Sequence, residues 1–201
     1  MIDNINELAA EAHENAVAHG FYGVPDPEEC NIAMLHCELS EAVQAERSEQ
    51  PLIFRLCIDC DDGPCRVVPG EATACGYNCE GKKPEGIAVE LADFVIRLLD
   101  YAAGHGMKIP TRQQLVPTYA SLPRLVNRLH SSINELVHFR EIAADFGLKD
   151  DAGKLSQVTI IANAVELVET FLDEKGIDLW EIVREKMDYN RSRPMLHGKK
   201  Y

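Results

Sequence analysis

The chain lacks several features that would announce a function early. None of its 201 residues belongs to a run of about 18 or more apolar residues, the length that reads as a membrane-spanning helix. Its opening, MIDNINELAAEAHEN, has neither the basic nor the apolar region of a secretory signal, so the expectation is a cytoplasmic protein with no membrane partner. Positive charge is scarce: 20 Lys and Arg stand against 33 Asp and Glu, a net charge of −13. Duplex nucleic acid is therefore not an expected partner, because that binding comes from cations neutralising phosphates. Any anionic ligand needs a metal or a local basic cluster to offset the field. The seven cysteines are an odd count without an export signal, which argues against a disulfide framework and for metal binding or plain burial.

What is present is helical punctuation. A hydrophobic content of 46% with 26% charged residues suits a soluble domain with a packed core. One helix is expected over 3–19, ending at Gly20. A second should start at Pro27 behind Asp26 as N-cap, with Glu28 and Glu29 in its first turn, and stop near Ser48. Residues 50–85 change character, being rich in Cys, Pro and Gly, and read as a small insertion to which any strands belong. A third helix should run from Gly86 to near Gly104. The stretch that follows is connecting structure with room for one short helix. Three more helices are expected over 122–145, 153–175 and 178–190, with Asp151 and Asp178 as N-caps. The fold class is all-α, one compact domain.

The helices repeat. LHCELSEAVQAER at 35–47 aligns with LHSSINELVHFRE at 129–141, and VELADFVI at 89–96 aligns with TIIANAVE at 159–166. Glu38 then faces Ser132, Glu41 faces Glu135, Glu90 faces Ile160 and Asp93 faces Asn163. This is the pattern of a duplication over 1–110 and 111–201 whose second half has lost most of its carboxylates.

Those carboxylates need a reason. Residues three apart share a helix face, so Glu38 and Glu41 project together, as do Glu90 and Asp93. The third helix is apolar almost all round, which marks a buried helix, so its acids enter the core. An unpaired buried carboxylate costs several kcal/mol or takes up a proton. Arg97 and Asp100 continue the stripe, and an internal ion pair satisfies part of the demand, but not four acids at once. Two such pairs on adjacent helices form an all-oxygen site that suits Mg²⁺ or Mn²⁺.

ELSE at 38–41, ELAD at 90–93 and EKMDYNRSRPMLHGKK at 185–200 resemble the MazG-like, all-α nucleotide pyrophosphohydrolases, relatives of the dimeric dUTPases. The resemblance implies a helical bundle and Mg²⁺-dependent cleavage of a nucleoside triphosphate to a monophosphate and pyrophosphate. It implies Glu38, Glu41, Glu90 and Asp93 as metal ligands, Glu41 and Glu38 as the catalytic carboxylates, and Lys186, Asn190 and Arg193 as phosphate contacts. A homo-oligomer is compatible with it. Two features depart from the family. The insertion lengthens the gap between ELSE and ELAD, and the basic motif follows the second copy, as if one half supplied metal ligands and the other the phosphate-binding tail. The alternatives are a nucleotide-binding regulator with weak turnover and, third, a di-metal carboxylate oxidase, for which Glu135 and His138 supply only a fragment of the ExxH pattern.

Other residues have plainer readings. Phe21 and Tyr22 read as loop anchors ahead of a stacking surface, Trp180 as core, and Cys30 and Cys37 as buried helix residues. His13, His36, His105 and His130 have no ligand spacing. Cys57, Cys60, Cys65, Cys75 and Cys79 open with a zinc-knuckle spacing, and so short an insertion needs a staple, so structural Zn²⁺ stands beside free thiols in a packed loop.

Overall fold

A computed structural model describes residues 2–57, 65–68, 83–111, 117–145, 151–198 and 200. Among them are six helices: α1 (Ile5–Ala18), α2 (Pro27–Arg47), α3 (Ile87–Gly104), α4 (Leu122–Asp145), α5 (Asp151–Asp173) and α6 (Leu179–Arg191). The strands β1 (Phe54–Cys57), β2 (Cys65–Val67) and β3 (Lys83–Glu85) fall within the insertion. They form one antiparallel sheet in the order β2–β1–β3. The mostly helical fold agrees with the all-α expectation, with this small sheet as its one addition among the described residues.

The helix α3 is the axis of the bundle. It packs against α1, α2, α5, α6 and β3. Ala88, Val89, Leu91, Ala92, Phe94, Val95, Leu99 and Tyr101 on it are fully buried. The helix α4 covers α2 and pairs with α5. By length and composition alone α5 could cross a bilayer, but 61% of the relevant window lies buried in the protein, as in a core helix.

Local punctuation behaves as expected with two corrections. Asp178 caps α6 by accepting from the backbone N–H groups of Trp180 and Glu181. Asp26 precedes Pro27 but sits in the left-handed region at φ 52° and makes no side-chain cap bond, so Pro27 and the acidic first turn start α2 without it. Cys37 is exposed and Cys30 only half-buried, against their expected burial. The core face of α2 is set by Leu35, Leu39 and Ala42, and that register turns position 37 to solvent. Asp151 is the first residue of α5 instead of its cap. The expected short helix after α3 falls partly on 112–116, outside the described residues.

Two pairs of features recur at the aligned positions. After α3, the N–H groups of Gly106 and Met107 donate to the carbonyls of Ala103 and Ala102 at 2.9 and 2.8 Å. After α5, those of Gly176 and Ile177 donate to Asp173 and Leu172 at 2.9 and 3.1 Å, a helix ending shared with α1 and α2. His36 and His130, opposite each other in the alignment, stack with Nδ1 atoms 2.8 Å apart where α2 meets α4.

The sheet joins the bundle through a close backbone approach at Gly86. Its φ is 116°, and a β-carbon there would lie 2.7 Å from the carbonyl oxygens of both Pro51 and Leu52. Ala88 N–H donates to Leu52 O at 3.0 Å, tying the start of α3 to the entry of the insertion. Gly86→Ala should therefore cost about 1–3 kcal/mol, from strain and from a clash that only the backbone can relieve. Urea denaturation checks the loss. Limited proteolysis should show new cleavage within 50–85.

Candidate metal and anion site

A cavity of about 210 Å³ opens between α1, α2, α3, β3, α6 and the C-terminal tail. Six carboxylates (Glu38, Glu41, Glu85, Glu90, Asp93, Asp100) and four cations (Lys83, Arg97, Lys186, Arg193) line it. The acid-rich end is built by two helices. One carboxylate oxygen each from Glu38, Glu90 and Asp93 lie within 4.8 Å of one another, close enough to share an ion. Glu41 lines the same cavity from the exposed side of α2.

Two of these acids have cations. Arg97 Nε donates to Glu38 Oε1 at 2.6 Å, with Glu38 only 5% exposed. Lys186 Nζ, from α6 and 4% exposed, lies 2.8 Å from Asp93 Oδ2. Among the described residues, Glu41 and Glu90 have no ion-pair partner. Burial and then the Asp93 charge push the Glu90 carboxyl up to about 8, against the pull of Lys186. Burial also raises Glu38; Arg97 opposes this and Asp93 adds to it. For Lys186 burial works against the proton, but the charges of Asp93, Glu90 and Glu85 outweigh it and hold the ammonium above its ordinary range. The residues thus fit a hard cation: three converging oxygens, one from a carboxyl whose ionisation lacks a paired cation.

Phe21, Tyr22, Val24, Pro27 and Met34 also line the cavity. Asp100, 7% exposed, lines it too and gathers donors from three elements. Tyr22 Oη donates to Oδ1 at 2.7 Å, His13 Nδ1 lies 2.8 Å from Oδ1, and Asn31 Nδ2 donates to Oδ2 at 3.3 Å. Burial raises the Asp100 carboxyl, while the hydrogen bonds of Tyr22 and His13 oppose it. Burial and the Asp100 charge hold the Tyr22 phenol protonated, well above its ordinary value. Tyr22 is thus both the loop anchor expected from sequence and a wall of the cavity.

The tail closes the third side. Leu196 N–H donates to His19 O at 2.8 Å, and His19 Nε2 lies 3.0 Å from Arg193 O. Leu196 and His197 both adopt left-handed conformations, and His197 meets Phe21 and His19 edge-on. Burial, then Arg193 and His19, push the His197 imidazole down to about 3. Asn190 is 7% exposed, and its Oδ1 is buried without a partner. Lys186, Asn190 and Arg193 therefore all reach the cavity, as does His197, while Lys200 is exposed.

The remaining sequence candidates fall elsewhere. Glu135 pairs with Arg128 at 3.0 Å, and His138 is exposed. Trp180 is core, its Nε1 donating to Glu169 Oε1 at 2.6 Å. Cys57 and Cys65 are buried cross-strand partners on β1 and β2. Cys60, Cys75 and Cys79 lie outside the described residues. The sequence placed Asp100 on the stripe of Asp93 but did not show the partners that gather on it, nor the contributions of Lys83 and Glu85, because these meet only through tertiary packing.

Glu90 makes a pH prediction. A carboxyl whose value is raised on folding binds its proton more tightly in the folded state. Its contribution therefore favours folding below the unfolded value and is lost as pH rises toward about 8. Chelator-treated Glu90→Gln protein should match the parent near pH 4.5 and exceed it in stability near pH 8.5, by up to a few kcal/mol. Thermal melts across that range check this, and Mg²⁺ should reverse the order at high pH.

No family model, curated protein or solved structure matches this chain, so its function is argued from the geometry above.

Proposed function

We propose that this protein is a Mg²⁺-dependent nucleoside triphosphate pyrophosphohydrolase, converting a (d)NTP and water to a (d)NMP and pyrophosphate. The observation that carries the reading is the meeting of Glu38, Glu90 and Asp93 in a cavity that is also lined by apolar and aromatic side chains. Glu38, Glu41, Glu90 and Asp93 would hold the ion. Bound there, Mg²⁺ or Mn²⁺ supplies polarisation of phosphoryl oxygens and a water of lowered pKa.

The protein's own groups do the rest. Arg97 and Lys186 hold the Glu38 and Asp93 carboxylates in place. Arg193 and Asn190 offer hydrogen-bonding groups to phosphate oxygens and ligand donors respectively. Asp100 locks Tyr22 as a rigid wall for the nucleoside. Glu41 is exposed to the cavity and free of an ion pair among the described residues, so it is the carboxylate we assign to take the water's proton.

A MazG-like origin by duplication supports one site per chain. In this view α4 and α5 are the eroded partners of α2 and α3. The stacking of aligned His36 on His130 is what a pseudo-twofold relation between the halves would produce. The second reading, nucleotide binding with weak turnover, draws on the two ion pairs that already occupy Glu38 and Asp93 and compete with a metal. An oxidase has less behind it, because Arg128 holds Glu135 at the surface. For the insertion, the Cys57–Cys65 pairing keeps structural zinc as the proposal. Protein purified without chelator should then carry about one Zn²⁺ per chain by elemental analysis.

Pyrophosphate release over a panel of NTPs and dNTPs is the test of function. Turnover should require Mg²⁺ and fall on the order of 100-fold or more in Glu41→Ala and in Asp93→Ala, with helical circular dichroism retained. Binding without turnover in the parent would select the regulator instead.

A further inference from the structure

The insertion is not a bystander to the cavity. Its last strand, β3, packs against both α3 and α6 and sends Lys83 and Glu85 into the cavity lining. Residues 83 and 85 lie on one face of the strand, and there they form an ion pair with each other. The sheet is clamped in this position. Arg55 on β1 makes a two-point contact with Glu185 on α6, Nε to Oε1 at 2.6 Å and the second nitrogen to Oε2 at 2.8 Å. Gly86, at the start of α3, lies close against the backbone of Pro51 and Leu52, which leads into β1.

A pair of this kind on an open surface would contribute little. Here the setting differs. Of the four cations lining the cavity, Arg97 and Lys186 are committed to the metal-site acids and Arg193 donates to the carbonyl of His197; among the described residues, Lys83 is the one paired with a carboxylate outside those acids. Lys83 is one-third exposed and Glu85 about one-sixth. The ammonium can therefore exchange a carboxylate for a more highly charged anion without leaving its place.

We propose that β3 forms one wall of the site and that Lys83, held in reserve by Glu85, is a specificity-determining cation that grips the outer phosphates of a polyphosphate ligand. Glu85 stands in for the ligand's charge until the ligand arrives. The insertion thereby sets a preference for triphosphates over monophosphates. This rests on the reading of the cavity as a metal-assisted anion site.

Calorimetric titration of the whole protein with inorganic tripolyphosphate in excess Mg²⁺ tests it, with orthophosphate and a nucleoside monophosphate as short-chain controls. Lys83→Ala should weaken tripolyphosphate binding about ten- to a hundredfold and leave the controls almost unchanged. Glu85→Gln should tighten it in the parent but not in the Lys83→Ala background, which is the coupling expected of a reserve pair. Arg55→Ala, which removes no cation from the cavity, should reproduce part of the loss by loosening the clamp. An unchanged tripolyphosphate affinity in Lys83→Ala, or equal weakening for all three probes, overturns the inference. If nucleotides are hydrolysed normally by Lys83→Ala, the inference falls and the hydrolase reading stands. If tripolyphosphate binding depends on Lys83 while no nucleotide is turned over, the hydrolase reading falls and the inference stands. A parent protein that binds no tripolyphosphate overturns both.

Discussion

The cost of placing carboxylates inside an apolar core governs the rest of this structure. Helix α3 is the most deeply buried element, yet Glu90, Asp93 and Asp100 interrupt its apolar surface, and Glu38 meets them from α2. Each group loses hydration that must be replaced by a partner or met by a proton. Asp100 is answered by neutral donors and His13, and Glu38 and Asp93 by single cations. Glu90 remains, and its strongly raised pKa is the measure of what is missing.

From that constraint the arrangement of the cavity follows. A side chain as costly to bury as Lys186 is tolerated because it faces Asp93 and Glu90. The tail folds back against α1 and its following loop, where His197 stays neutral among Arg193, His19 and Arg97. Acidification below about 6.5 works against this packing, because an imidazole with a depressed pKa favours folding only while both states are unprotonated. Two walls of one cavity thus titrate in opposite directions: the Glu90 carboxyl favours folding at low pH, and the tail around His197 is best seated at neutral pH and above.

Much of this was legible in the sequence because it depends on local pattern. Helix periodicity, Gly at helix ends and Pro27 at a first turn placed α1 to α6 within a few residues. Three-residue spacing put Glu90 and Asp93 on one face, and the basic tail did reach the cavity through Lys186, Asn190 and Arg193. What was not legible is which charges meet. Arg97 follows Asp93 by one turn and was expected to satisfy its own helix, yet it reaches across to Glu38, and Lys186 from 93 residues further on takes Asp93. Those choices are made by helix packing. The same holds for Asp100, whose partners lie 69 to 87 residues away, and for Lys83, whose place depends on a sheet that forms only when β1 and β3 pair. Cys37 shows the reverse error, a residue type that is usually buried turned outward by the register of its neighbours.

Whether the acid cluster takes a divalent cation can be measured without any assumption about substrate. Electron paramagnetic resonance of Mn²⁺ titrated into chelator-treated protein reports the free ion directly. The account predicts that the parent protein depletes the free signal, that Mg²⁺ restores it by competition, and that Glu90→Gln and Asp93→Asn largely abolish the depletion. A free-ion signal unchanged by the parent protein at millimolar concentration, or depletion equal in all three proteins, would contradict it.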